Sequence, residues 1–238
     1  MRTLDVYFDA LRAGRLTQDA RGAMAFAYAP DYLADPAARA ISISMPLGPA
    51  RFEDHVARPY FSGLLPDEGA RHRLAAALGV SAANAFGLLE IIGGDCAGAL
   101  SLHPADTAPF AATRGDVDWL DDARLGQIVA RLRERPLLGG EDGIRLSLAG
   151  AQDKLAVCAD DHRIGLPRDG LPTTHILKPS IMTLDGSVEN ELFCLRLAKR
   201  IGLTVVQADL RPAGGAPALL VRRYDRQTGK GTVLRLHQ

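Results

Sequence analysis

The stretch IRLSLAGAQDKLAV, residues 144–157, constrains this chain more than any other. Ser147, Ala149, Gly150 and Ala151 carry almost no side-chain bulk, so backbone N–H groups of this loop can approach a ligand closely. Gln152 and Lys154 follow, and a second segment, THILKPS, brings Lys178. Free amides, little bulk and nearby cations are what the phosphates of a nucleotide require. The loop matches neither the P-loop pattern nor G-x-G-x-x-G. Taken alone it also reads as a tight β-turn, with the Ser147 hydroxyl bonding inside the turn.

Around this stretch the hydrophobic pattern is mixed. Over residues 1–48, Leu4, Val6 and Phe8 alternate with other residues, as do Met24, Phe26 and Tyr28, then Ile41, Ile43 and Met45. Period-two alternation predicts antiparallel strands, with a turn at Arg12-Ala13-Gly14. From residue 52 to 92 the period becomes helical. Val56, Tyr60 and Leu64 share a face, a second helix opens after Pro66-Asp67 and stops at Gly79, and Ser81 is placed to cap a third that carries Ala85, Leu88, Leu89 and Ile92. A strand then ends at Pro104. The polar link from Pro104 to Asp118 is the expected domain boundary, dividing residues 1–105 from 118–238. Beyond it come an amphipathic helix over 121–133 and strands at 155–158 and 176–178. A helix capped by Ser187 follows, with Leu192, Leu195, Ala198 and Ile201 facing inward and Gly202 as its stop. Strands at 205–210, 218–221 and 232–236 complete an α+β chain.

Composition excludes several function classes. Lys plus Arg and Asp plus Glu both number 28, so net charge is zero and gives no support to a nucleic-acid footprint over the whole molecule, which leaves room for a local basic patch. Cys96, Cys158 and Cys194 form no C-x-x-C pair and lie among apolar residues, which predicts buried reduced thiols rather than a disulfide or zinc site. The histidines lack H-x-x-x-H spacing, so no metal site is expected. MRTLDVYFDA reads as a strand and not as a signal peptide, and no apolar run reaches membrane-span length. A cytoplasmic protein with no membrane partner is the expectation.

From residue 140 onward the order is small-residue loop, strand, strand with lysine, helix, strands. In protein kinases a strand lysine holds the nucleotide's phosphates and an acid on the following helix orients it. Lys178 and Glu191 are the candidates for that pair. The alternatives are a lysine that snorkels to the surface and an acid placed in a first helical turn by the helix dipole.

The residues also carry a resemblance. IRLSLAGAQDKLAV, PTTHILKPS, SVENELFCLRLAKRIGL and LLVRRYDR, in this order, resemble the HipA family of type II toxin–antitoxin serine/threonine kinases. GRLTQDARGAMAFAYAPDYL, ISISMPL, FSGLLPDEGARHR and GLLEIIGGDCAGALSLHP extend the likeness over the first half. The resemblance implies an N-terminal β-rich subdomain with helices, followed by the nucleotide-binding N-lobe of a two-lobed protein-kinase-like fold. It implies ATP held by Lys178, by the loop residues Ala149, Gly150, Ala151, Gln152 and Lys154, and by Ile176 at the adenine. Backbone groups of Arg222 and Tyr224 would meet the adenine edge, and Asp225 the ribose. Ser147 matches an autophosphorylated serine.

The resemblance further implies Mg2+, a HipB-like DNA-binding antitoxin that brings DNA indirectly, and an aminoacyl-tRNA synthetase whose phosphorylation arrests translation. The family's catalytic aspartate and its Mg2+ ligands would lie downstream of Gln238. A truncated chain, inactive by itself and without its catalytic C-lobe, is therefore the expectation. The alternative is a non-catalytic module that engages the antitoxin or a separate C-lobe.

Overall fold

The computed structural model describes residues 1–107, 116–140, 144–168, 170–229 and 232–236. Two antiparallel sheets organise the chain. The first is built from β1 (Arg2–Phe8), β2 (Leu11–Gln18), β3 (Met24–Tyr28), β4 (Arg51–Phe52) and β5 (Leu100–Pro104), in the order β4-β3-β2-β1-β5. Its inward residues, Leu4, Val6, Leu16, Phe26 and Leu102, are fully buried. Helices α2 (Asp54–Ser62), α3 (Glu68–Leu78) and α4 (Ala85–Ile92) supply the other side of that core through Phe61, Leu74, Phe86, Leu88 and Leu89. A short helix, α1 (Pro30–Ala34), precedes them.

The second sheet contains β6 (Val117–Leu120), β7 (Leu155–Ala159), β8 (Ile164–Pro167), β9 (His175–Pro179), β10 (Ala208–Ala213) and β11 (Ala216–Arg222), in the order β10-β11-β9-β7-β8-β6. Helices α5 (Asp122–Arg131) and α6 (Ser187–Arg200) belong to this half. A separate two-stranded ribbon, β12 (Arg226–Gly229) with β13 (Thr232–Arg235), follows. The main apolar core is continuous from Leu4 to Leu220, and a small second cluster joins Val188 and Leu192 of α6 to Leu219 and Val221 of β11. Most of the polar link expected between the halves lies outside the described residues, as does Gly231 beside the turn expected near Gly229.

Several local expectations are corrected. Residues 41–45 form no strand but an irregular segment with a single Ser42–Met45 bridge. Tyrosine hydroxyls satisfy its backbone instead. Tyr28 Oη donates to Met45 O (2.6 Å) and accepts from Ile41 N–H (2.9 Å), and Tyr60 Oη donates to Ile41 O (2.7 Å). Ile43 is left fully exposed. The first hairpin turns at Asp9-Ala10, with Asp9 left-handed at φ 53°, and Gly14 lies inside β2 where a Cβ would strike Ala27 O and the Phe26 ring. Asn84, not Ser81, caps α4 by accepting from Gly87 N–H (3.0 Å). Ser187 is the first residue of α6 rather than its cap, and its hydroxyl accepts from Ile181 N–H (2.9 Å). On α6 only Val188 and Leu192 are buried among the large apolar side chains, while Ile201 is exposed. Cys194 is exposed on the same helix, whereas Cys96 and Cys158 are buried free thiols.

Strands β6 and β8 were not legible. All four β6 side chains are half-buried and all four β8 residues are buried, so neither strand alternates. Gly165 and Pro167 in β8 also read as turn residues.

Helix α5 meets the β10–β11 hairpin backbone to backbone. A Cβ on Gly126 would lie 2.6 Å from Gly214 Cα, and Asp122 Oδ1 accepts from Gly214 N–H (3.0 Å). Alanine at 126 would gain about 1 kcal/mol of helix propensity, yet it must push the hairpin off the helix. Gly126→Ala is expected to destabilise the chain by about 1–2 kcal/mol net, read as a shift in the denaturant midpoint.

Candidate functional site

Strand β9 and helix α6 place Lys178 and Glu191 face to face, with Nζ 2.5 Å from Oε1. Both side chains are partly buried, at 23% and 32% exposure, so the ammonium is held by the carboxylate rather than released to solvent. The small-residue loop lies beside the pair. Gly150 has φ 112°, a conformation that favours glycine, and a Cβ there would lie 2.5 Å from Lys154 Nζ. Lys154 donates to Ala149 O and so folds the loop on itself. Gln152 Nε2 donates to Pro179 O (3.4 Å), joining the loop to the end of the lysine strand. Asp67 N–H donates to Gly150 O (3.4 Å), and Arg73 pairs with Asp153 (2.5 Å), anchoring the loop to α3.

Electrostatics favour an anion here. Burial lowers the Lys154 pKa and the neighbouring Lys178 ammonium lowers it further, against the opposing pull of Asp67 and Glu191. Two ammonium groups thus repel each other next to a loop of small residues. An incoming anion would relieve that repulsion.

The other expected site residues fall elsewhere. Ile176 lies in β9 opposite Ala156 and Val221, half-buried against the main core. Arg222 ends β11 opposite His175, and its N–H donates to Gln207 O (2.8 Å). Tyr224 is 69% exposed. Ser147 is completely buried beneath the loop, where its hydroxyl donates to Leu64 O (2.7 Å). Asp225 is also buried. Its carboxylate accepts from Arg223 (2.7 Å), Arg226 (2.9 Å) and Gly98 N–H (2.8 Å), so those donors occupy the group expected at the ribose.

Asp225 belongs to an ionic cluster that sequence reasoning missed. Asp95 is 4% exposed and accepts from Arg226 (2.8 Å), Arg235 (3.1 Å), Arg223 (3.3 Å) and the Thr173 hydroxyl (2.8 Å). Burial alone would raise its pKa, but Arg226, Arg223 and Arg235 outweigh it and hold the carboxyl far below its usual range. The signals were present in GGDCAG and VRRYDR, but nothing local pairs residues so far apart in sequence. Among the described residues no three His, Cys, Asp or Glu side chains are grouped to hold a metal ion, and no helix is long and apolar enough to cross a membrane.

A second buried ionisable group lies behind the loop. Arg145 donates to Glu90 O (2.8 Å), Ile91 O (3.1 Å) and Leu102 O (3.0 Å), closing the end of α4, and its Nη1 lies 3.2 Å from His103 Nδ1. Arginine only donates, so Nδ1 accepts and His103 is neutral, with Nε2–H donating to Ser101 Oγ (3.1 Å). Burial, then Arg145, push the His103 pKa from 6.5 down to about 4. The unfolded chain therefore takes up this proton before the native state does. The stability that neutral His103 contributes is complete above about pH 6.5 and is lost as pH falls toward 4. His175 is depressed in the same direction, by burial and then Arg222. His103→Gln should reduce the pH slope of the unfolding free energy between pH 6.5 and 4, and an unchanged slope would contradict this assignment.

A strand lysine paired to a helix carboxylate beside a small-residue loop is the arrangement of a kinase-type nucleotide lobe. Sequence comparison sharpens the class. The HipA N-terminal domain model matches residues 4–103 and the HipA-like C-terminal domain model matches residues 146–238. The chain belongs to the HipA family.

It is 45% identical over 242 residues to the provisionally named kinase Y4mE of Sinorhizobium fredii, covering 100% of this chain and 58% of that protein. It is 30% identical over 241 residues to the serine/threonine-protein kinase toxin HipA of Shewanella oneidensis, covering 99% of this chain and 53% of that protein. The solved complex of HipA, HipB and operator DNA from Shewanella oneidensis MR-1 superposes with a TM-score of 0.78 at 29% identity, over 98% of this chain and 54% of that one. The chain thus spans about half the length of the relatives it matches. Both named domains of the family are matched, so these matches give the expectation of truncation no support.

Proposed function

We propose that the chain carries the ATP-binding part of a serine/threonine protein kinase that acts as the toxin of a type II toxin–antitoxin system. The observation that carries this reading is the Lys178–Glu191 pair beside the Gly150 loop. In this reading Lys178 and Lys154 meet the phosphates, the loop from Ala149 to Gln152 offers its N–H groups, and Ile176 packs on the adenine near the backbone of Arg222 and Tyr224. The donor set fits a polyphosphate: two cations, small residues and a single carboxylate that orients one of the cations. Mg2+ would accompany ATP; among the described residues no three His, Cys, Asp or Glu side chains are grouped to hold it.

Ser147 is the proposed autophosphorylation site. In the present conformation no kinase can reach its hydroxyl, so phosphoryl transfer requires the segment to leave Leu64 first. A phosphate there could not return to a buried pocket and would compete with ATP for the same amides. A HipB-like antitoxin, with DNA held through it, and an aminoacyl-tRNA synthetase substrate whose phosphorylation would halt translation complete the proposal. They rest on family membership and on the solved relative bound to HipB and operator DNA. Titration calorimetry with ATP tests the core of the reading, because the native chain should bind ATP and Lys178→Met should weaken that binding. Equal binding by both would overturn it.

A further inference from the structure

Asp95 joins two parts of the molecule that a nucleotide would contact separately. Its backbone brackets the Ser147 segment. Asp95 N–H donates to Arg145 O (2.8 Å) and Ser147 N–H donates to Asp95 O (3.0 Å). Its carboxylate grips the other part. Oδ2 accepts from Thr173 Oγ1 (2.8 Å) and Arg223 Nη1 (3.3 Å), and Oδ1 accepts from Arg226 Nη2 (2.8 Å). Thr173 lies two residues before β9, and Arg223 directly follows β11. Arg223 N–H donates to Thr174 O (3.0 Å), so these contacts fix the ends of the neighbouring strands β9 and β11 to each other. One residue therefore has the Ser147 segment on its backbone and the β9 and β11 ends on its side chain. Both attachments are buried, and their charges cannot be resolvated without opening the core.

We propose that Asp95 is a positioning residue that couples the seating of the Ser147 segment to the geometry of the strand ends beside the adenine. This rests on the nucleotide-site reading above. When Ser147 sits on Leu64, Asp95 is held in place and its carboxylate fixes Arg223 and Thr173. When the segment is displaced, Asp95 loses its backbone partner and the strand ends relax. The segment would then act on the nucleotide by two routes, through the phosphate loop directly and through Asp95 on the base.

Adenosine separates the two routes because it has no phosphates. In the 238-residue chain, Ser147→Glu introduces a charge that cannot stay buried and so displaces the segment. Adenosine and ATP affinities are measured calorimetrically in four chains: native, Ser147→Glu, Asp95→Asn and the double variant. Ser147→Glu is expected to weaken adenosine binding by about fivefold or more in the native background and to change it little in the Asp95→Asn background. Should Asp95→Asn fail to fold by circular dichroism, Thr173→Val takes its place, since it removes one bond to the same carboxylate and no charge. Loss of ATP affinity with unchanged adenosine affinity in Ser147→Glu overturns the coupling and leaves the nucleotide site standing. Equal adenosine losses in both backgrounds also overturn it. A native chain that binds neither compound overturns the coupling and the nucleotide site together.

Discussion

Asp95→Ala is expected to cost about 3–5 kcal/mol of folding stability, the scale for removing one partner from a buried ion pair. The native cluster sets two carboxylates, Asp95 and Asp225, against the three guanidinium groups of Arg223, Arg226 and Arg235. Without Asp95, Arg223 and Arg226 are left with Asp225 and Arg235 loses its carboxylate, and Arg226 is already short of a partner at its Nε. Arg223 and Arg226 side chains are each 1% exposed, so water cannot take over. The loss is a large fraction of the roughly 5–15 kcal/mol that holds a domain together. Urea unfolding would read it as a lowered midpoint. A change below about 1 kcal/mol would mean that the cluster is not closed to water in solution.

Lys178→Met is expected to weaken ATP binding by about 10- to 100-fold, matching the roughly 1.5–3 kcal/mol of one charged hydrogen bond. Methionine keeps most of the stem's volume, so β9 should pack as before. Adenosine binding should change little, because Lys178 is proposed to meet phosphates alone. Glu191→Gln should produce a smaller loss, since it leaves the ammonium in place but removes the carboxylate that orients it at 2.5 Å. An equal loss of adenosine and ATP affinity in Lys178→Met would point to damage of the strand instead of loss of a phosphate contact.

Local grammar made part of this legible. The β9 strand, the start of α6 and the small-residue loop have near-neighbour signals, so Lys178 and Glu191 could be named as candidates for a pair after the loop, while spacing left a snorkelling lysine and a helix-dipole acid as alternatives. Alternation located β1 and β3 for the same reason. It misled at residues 41–45 because Ile41, Ile43 and Met45 alternate with serines as a half-buried strand would, whereas in the fold Ile43 is exposed and tyrosine hydroxyls hold the segment as a loop. It was silent at β6, which presents four similar faces. The ionic cluster was illegible for a deeper reason. Charged residues read as surface, and only the fold brings Asp95 within reach of arginines about 130 positions away. Asp225 is different: Arg223 and Arg226 are its sequence neighbours, and only its third donor, Gly98 N–H, is distant.

The most direct test of the central claim is a crystal structure of the chain bound to a nonhydrolysable ATP analogue. The account predicts the phosphates between the Gly150 loop and Lys178, with Lys178 still within hydrogen-bond reach of Glu191. A nucleotide bound elsewhere, or phosphates pointing away from Lys178, would contradict it.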